Sequence, residues 1–391
     1  MSDLGASVPI YLDYQATTPV DSTVVEAMAP YWNVDFGNAH SQHAVGWRAD
    51  RAVSDARVSV AHLIGALPEE IVFTSGATEA NNLAILGLLQ HARADGRNVV
   101  VSAIEHKCVL EAARQLERVG FSIRKAPVSA SGHIDLVALH GLIDTNTALV
   151  SMMLVNNELG TVQPIAEMAQ MCRAVGAVFH CDAAQAATAF AIDVEALGVD
   201  LMSLSAHKMY GPKGIGALFV SGAIRSRLRP IIHGGSQEDG LRSGTLSTPL
   251  CVGFGEAARL VVERRQQDAL HFAACRAAFL TTLGSALSEF AINGDEPKHP
   301  GHVNVQLPGV DAVDLIASVQ PRLAVSTGSA CSSGIPEPSH VLRAIGLDSI
   351  AAGQSIRVGF GRSTTEGQAR EAAYILADEL NKLRHATSVR T

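Results

Sequence analysis

Hydrophobic and polar positions in this chain alternate between two periods. Short continuous apolar runs occur at Ile71–Thr74, Asn98–Ser102, Phe121–Lys125, Ala148–Leu154, Ala177–Asp182, Leu201–Ser205 and Ala217–Val220. Runs of this length bounded by turn formers read as strands buried on both faces. Between them, Glu79–Gln90, Val109–Val119 and Ile165–Ala174 place apolar residues at helical spacing. Strand and helix in alternation predict a mostly parallel sheet covered by helices on both faces, an α/β architecture. After about residue 262 the pattern changes to a long helical stretch, Arg264 to Leu287, then short strands and a final helix near Glu366–Leu383. The expected organisation is therefore a large domain over residues 14–262 and a smaller α/β domain formed by 1–13 and 263–391.

In an open parallel sheet, ligands bind beyond the carboxyl ends of the strands, so the residues just after each run carry the chemistry. The run ending at Ser205 leads into SAHKMYGPKGIG, which contains Lys208. A lysine at the end of a buried strand is poorly solvated; desolvation depresses its pKa and frees the amine to attack a carbonyl, unless the side chain simply reaches water. Ser205 and His207 flank it and can contact a phosphate. Strand Ile71–Thr74 opens into Ser75-Gly76-Ala77-Thr78-Glu79, where free N–H groups at a helix start make an anion cup, although a plain helix start uses the same residues. Asp182, ending another strand, suits either a pyridinium nitrogen or a helix N-cap, and Gln185 follows one turn later. His106 follows Asn98–Ser102, placed to lie on a cofactor ring as acid or base, or to pack without chemistry. Competing cofactor motifs are missing: GPKGIG has the wrong glycine order for GxGxxG, and no GxxxxGK[ST] occurs. Together these strand ends point to pyridoxal phosphate.

Composition narrows the class. Hydrophobic residues at 47% and charged residues at 17% exclude disorder. The formal charge of −8, from 38 acids against 30 bases without a basic block, argues against direct nucleic-acid binding. The first residues, MSDLGASVPIYLD, carry neither a basic n-region nor an apolar h-region, and no apolar run approaches a membrane span, so a cytoplasmic protein is expected. Six cysteines (108, 172, 181, 251, 275 and 331) form no CxxC pair or disulfide framework. Five are expected as buried small hydrophobes. Cys331 differs, because STGSACSSGIPEP reads as an exposed loop, about 325–338, that can carry a nucleophilic thiolate.

Taken in order, YLDYQATTPVD, FGNAHSQH, FTSGATEANNLAI, EHK, HCDAAQ, SAHKMYGPKGIG, HGGSQEDGLRSGT, STGSACSS and PSHVLRAIG resemble the cysteine desulfurases of the NifS/IscS type, over residues 11 to about 365. The resemblance implies a fold type I pyridoxal phosphate enzyme with a mostly parallel seven-stranded sheet. It further implies a homodimer with shared active sites that converts L-cysteine to L-alanine and hands the sulfur, as a persulfide, to an acceptor protein. It makes Lys208 the Schiff-base lysine, His106 the ring-stacking residue, Asp182 and Gln185 the ring partners, and Cys331 the sulfur acceptor on the enzyme. Ala77, Thr78, Ser205 and His207 would hold the phosphate, with Thr245 reaching in from the other subunit. Asn38, Asn157 and Arg357 match positions around the substrate, and no metal is implied. Two departures stand out: the chain ends soon after GRSTTEG, without the family's extended C-terminal tail, and STGSAC replaces the common SSGSAC. They count against the general housekeeping role and leave room for a dedicated acceptor, such as a nitrogenase-linked scaffold, a tRNA-thiolating enzyme or a DNA-phosphorothioation system. Related readings are a selenocysteine lyase, another enzyme of the same aminotransferase class, or a non-catalytic assembly platform on the same fold.

Overall fold

The computed structural model describes residues 8–328 and 338–388. Twelve strands occur among them: β1 (Ile10–Tyr11), β2 (Ile71–Thr74), β3 (Asn98–Ser102), β4 (Ser122–Ala126), β5 (Thr147–Met153), β6 (Val178–Asp182), β7 (Leu201–Ser205), β8 (Gly216–Val220), β9 (Ala291–Ile292), β10 (His302–Gln306), β11 (Leu323–Ala324) and β12 (Ser355–Gly359). Seven of them form one sheet in the order β2-β8-β7-β6-β5-β3-β4.

Strands β4, β3, β5, β6 and β7 run parallel, whereas β8 is antiparallel to both of its neighbours. Those two reversals return β2 to the common direction. The carboxyl ends of β2, β3, β5, β6 and β7 therefore open on a single edge.

The period of two along each strand divides its side chains between two cores. Ile71, Phe73, Val100, Val150, Phe179 and Met202 point to one face, packing with Val53 and Val60 of helix Ala44–Ile64, Met168 of helix Ile165–Val175 and Phe254 of helix Thr248–Ala286. Their strand neighbours Val72, Val99, Val101, Leu149, Val178 and Leu201 point to the other, against Leu83 of helix Ala77–Leu89 and Leu116 of helix Lys107–Glu117. Burial on both faces is why these strands read as unbroken apolar runs.

Strand limits shift from the sequence expectation by a residue. Ser122–Ala126 replaces Phe121–Lys125, and Thr147–Met153 replaces Ala148–Leu154. The larger difference is the helix expected from Arg264, which begins at Thr248 and runs 39 residues to Ala286. Gly253 and Gly255 weaken the helical pattern there, and tertiary packing explains them. A Cβ on Gly255 would lie 2.6 Å from Ala56 Cα, and one on Gly253 would lie 2.5 Å from Met28 Sδ. Only a residue without Cβ lets the two helices approach this closely. We expect Gly255→Val to lower stability by about 1–3 kcal/mol, because the backbone at Ala56 cannot yield as a flexible side chain would; thermal unfolding measures this, and an unchanged midpoint would contradict the close contact.

At roughly 1.5 Å per residue this helix is about 58 Å long, and its far half enters a second core. There Phe279 and Leu283 pack with Val303 and Val305 of β10, Ile356 and Val358 of β12, and Leu376 and Leu380 of helix Glu366–Ser388. Strands β12-β10-β9 make an antiparallel sheet. The N-terminal segment joins this core through Ile10 and Leu12, with β1 parallel to β11 and Asp13 bridged to Gly359. This crossing carries Gln15 and Ala16 to the sheet edge. No helix among the described residues is long and apolar enough to cross a membrane.

Candidate active site

The shared edge holds a cavity of ≈ 770 Å³. The sequence-expected residues Ala77, Thr78, His106, Asn157, Asp182, Gln185, Ser205, His207, Lys208 and Arg357 all line it.

Lys208 ends the short 3-10 turn Ala206–Lys208 that follows β7. Its Nζ donates to the carbonyl oxygens of Gln15 and Ala16, the latter at 2.8 Å. Both are neutral acceptors, so no carboxylate ties up the ammonium. Burial, then the nearby Arg357 charge, lowers its pKa to about 8, against the partial opposition of Asp13 and Asp182. His207 is pushed to about 4 by burial and by Lys208 and Lys213, so the ring is neutral at pH 7. Its Nδ1 lies 3.1 Å from Thr17 Oγ1.

Asp182 closes β6 at the centre of the sheet. Its Oδ2 accepts from Asn81 Nδ2 at 2.7 Å and its Oδ1 from Ala184 N–H at 3.0 Å, leaving it without a cationic partner in direct contact. It therefore caps the following turn and faces the cavity at once. Gln185 Nε2 donates to Gln15 O at 2.9 Å, on the same carbonyl that Lys208 reaches.

His106 is the N-cap of helix Lys107–Glu117, with Nδ1 accepting from Cys108 N–H. Burial, only partly offset by Asp182, lowers its pKa, as do the charges of Lys208, His340 and Lys107. Behind it Glu105 is fully buried, with Oε1 accepting from Met153 N–H at 2.6 Å; burial and the Asp182 charge hold its carboxyl well above the usual carboxylate range.

Three features fit pyridoxal phosphate, tested on the protein alone. Ser205 Oγ is buried without a hydrogen-bond partner at the cavity wall. A Cβ on Gly76 would meet nothing within 4 Å, so open space faces the N-terminus of helix Ala77–Leu89, whose first N–H groups lack intrahelical acceptors. An amine depressed to about 8 and a carboxylate share one cavity.

Arg357, on β12, projects from the second core into the cavity. Its Nη2 lies 2.7 Å from Asp13 Oδ1 and its Nη1 donates to Asn157 O at 3.1 Å, while Nε is buried and unpartnered. Asn38 and Thr245 are not in this wall. Both are exposed, and Asn38 Oδ1 accepts from His40 N–H. Cys331 lies outside the described residues, though Ser326 and Gly328 before it and His340 after it line the cavity.

A model of the class-V aminotransferase family matches residues 10–370. The chain belongs to that family. A protein named cysteine desulfurase IscS from Rickettsia bellii is 47% identical over 96% of this chain and 92% of its own length, and its namesake from Rickettsia rickettsii is 47% identical over 97% and 92%. Among solved structures, a NifS-like protein superposes with a TM-score of 0.87 at 32% identity, covering 98% of this chain and all of that one. SspA in complex with cysteine gives 0.80 at 39% identity, covering 90% and 98%, respectively. The fold is thus that of the NifS-like fold type I enzymes.

Cysteine 108 corrects the sequence expectation. It is only half-buried and lines the cavity, whereas Cys172, Cys181, Cys251 and Cys275 are buried as expected. Its place in the first turn of helix Lys107–Glu117 aims it at the sheet edge rather than the core. Asn81, Asp13 and Gln15 were also missed as site residues. All three sit in the quoted motifs, so a motif signal existed without a role attached to it.

Proposed function

We propose that this protein is a pyridoxal phosphate-dependent cysteine desulfurase that converts L-cysteine to L-alanine and transfers the sulfur to Cys331 for delivery to an acceptor protein. The observation that carries the reading is the convergence of Lys208, Asp182 and His106 on one cavity beside the partnerless Ser205 Oγ and the open N-terminus at Gly76. The desulfurase names of relatives at 47% identity support it.

Ala77, Thr78, Ser205 and His207 would hold the phosphate, Asp182 and Gln185 would hold the ring, and Lys208 would carry the cofactor covalently. When bound, pyridoxal phosphate supplies an electron sink for the pair left at Cα when its proton departs. The protein does the rest. Arg357, with Asn157 beside it, orients the substrate carboxylate through a planar fork suited to two oxygens. Lys208, whose amine is already partly unprotonated near pH 8, takes the Cα proton. Cys331 thiolate then forms a bond to the substrate sulfur as the Cβ–S bond breaks. The bonding pair stays with the carbon skeleton, which takes up protons at Cα and Cβ and leaves as alanine. Asp182 is held in place throughout by hydrogen bonds from Asn81 and the Ala184 N–H.

A homodimer with shared sites accounts for the residues outside this cavity. Trp32, Val34, Phe36 and Trp47 are exposed large apolar side chains around Asn38, on segments clasped by the Asp35–Arg48 ion pair at 2.7 Å. Such a patch suits a second copy, which would also bring Thr245 to the phosphate.

The test is to purify the protein with its cofactor, record the absorbance near the edge of the visible range, and quantify alanine and protein persulfide from L-cysteine. Equal yields of the two are expected. Absorbance without alanine would reject the desulfurase reading, and no absorbance at all would reject the cofactor as well.

The amine has its own signature. A lysine with a folded pKa of about 8 releases its proton before the unfolded chain does, at 10.5. In cofactor-free protein, the labelling rate of Lys208 by an amine reagent should rise through pH 8. Stability from this group should also increase as pH rises from 8 to 10.5, where the unfolded state holds the extra proton, and the burial penalty should be full below 8. A labelling midpoint near 10.5, read by peptide mapping, would refute the desolvated amine.

A further inference from the structure

A continuous hydrogen-bonded chain runs from Asp182 to His106 through Asn81 and through Cys108, which the mechanism above leaves unused. Asn81, fully buried on helix Ala77–Leu89, has its Nδ2 2.7 Å from Asp182 Oδ2 and 3.1 Å from Cys108 Sγ. Cys108 Sγ lies 3.0 Å from His106 Nδ1.

Proton positions along this chain follow from its ends. Asn81 turns its NH₂ toward Asp182 Oδ2, and the second amide hydrogen then falls on the sulfur. The sulfur accepts from Asn81, leaving its own hydrogen for His106 Nδ1. That nitrogen also faces Cys108 N–H at 3.2 Å, a donor that cannot be reversed. A ring nitrogen facing two donors must present its lone pair, and the ring proton is then on Nε2.

We propose that Cys108, oriented by Asn81, is a positioning residue whose S–H joins its own backbone N–H at Nδ1 and so holds His106 as the neutral ring with its proton on Nε2, a hydrogen-bond donor rather than an acceptor at that nitrogen. This rests on the desulfurase reading only for its consequence in turnover; the tautomer itself is a property of the protein. Burial, followed by the Asp182 charge, pushes the Cys108 thiol up to about 12, so it remains an S–H donor across the working pH range. It is thereby unsuited to stand in for Cys331 as a thiolate. His106 is also faced by Asp182 on β6, by Lys208 after β7, by His340 of helix His340–Ala344 and by Lys107 beside it. Of these only Asp182 favours the charged ring, while Lys208, His340 and Lys107 add to burial in keeping it neutral.

The consequence is directional. A neutral ring keeps its Nε2 proton at working pH and offers it as a hydrogen bond, so His106 enters the reaction as a donor at Nε2 and not as an acceptor there. Removing the S–H donor removes one interaction that favours the neutral ring, and the pKa of His106 should rise.

The test uses the cofactor-loaded protein, Cys108→Ala and Cys108→Ser. Long-range nitrogen–proton NMR of the histidine rings should show His106, assigned with His106→Gln, as the Nε2–H form in the wild type and, because the backbone N–H of residue 108 remains, in Cys108→Ala as well. The pH at which that ring titrates should move up by about half a unit to one unit in Cys108→Ala, the size of one net hydrogen bond. The same shift should appear in the acid limb of kcat, with KM for L-cysteine little changed. Cys108→Ser, which keeps a hydroxyl donor in the thiol's place, should restore the titration. An Nδ1–H ring in the wild type overturns the proposal, as does an unmoved titration in Cys108→Ala or a serine variant that behaves like alanine. A wild type that makes no alanine yet shows the Nε2–H ring would sink the desulfurase reading and leave the tautomer assignment standing.

Discussion

Lys208→Ala is expected to abolish covalent attachment of pyridoxal phosphate and to lower turnover by about 10³-fold or more, since one residue serves as both the nucleophile toward the cofactor and the base at Cα. No substitute stands nearby in the same state. Lys213 and Lys107 also line the cavity, but neither follows the end of β7 with its amine directed onto the Gln15 and Ala16 carbonyls. The cup at Gly76 and the Asp182 carboxylate do not depend on the lysine, so the variant should still bind the cofactor reversibly. Borohydride reduction and peptide mapping read the outcome: label on Lys208 in the wild type and none in the variant. Label on Lys213, or near-normal alanine output from the variant, would overturn the assignment.

Cys331→Ser carries the second large effect and separates the two halves of the reaction. A serine hydroxyl is almost never ionised near neutral pH, whereas a thiol of pKa ≈ 8.5 is partly thiolate and far more nucleophilic toward sulfur. The residues proposed to hold the phosphate, the ring and the carboxylate are all unchanged in this variant. The variant should therefore keep the wild-type absorbance and respond to added L-cysteine, while alanine release falls by about 10²-fold or more. Ser326, Gly328 and His340, the described residues on either side, line the cavity. Substantial alanine from Cys331→Ser with no added thiol would show that another group takes the sulfur. Cys108, the one thiol among the described residues that lines the cavity, is the first to examine in that event, and its raised pKa argues against it.

The chemistry of the strand ends was legible because a parallel sheet converts sequence position into spatial position. Each apolar run ends where the chain turns, and all parallel runs end on one edge. Thus Asp182 after β6, Lys208 after β7 and His106 after β3 could be gathered from the sequence without knowing any distance. Asn38 and Thr245, the latter expected from the resemblance to serve the other subunit, are both exposed and outside the cavity of their own chain. A motif records that a residue matters and not which wall of a site it joins.

Sequence alone settled the class of fold, the positions of the seven central strands to within a residue or so, and the residue types at their ends, because burial on both faces imposes an unbroken apolar signal that local sequence must carry. It could not settle what depends on two distant segments meeting. The reversal of β8 leaves no mark on hydrophobicity, which has no direction. The true start of helix Thr248–Ala286 was hidden by Gly253 and Gly255, whose purpose appears only when Met28 and Ala56 are brought against them. Arg357 reaches the site only because β12 pairs with β10 and Asp13 crosses to Gly359. The link from Asp182 through Asn81 and Cys108 to His106 joins two helix N-termini and a strand end separated by up to 101 residues. Hydrogen bonds between such residues carry no periodicity, so only the folded chain could reveal them.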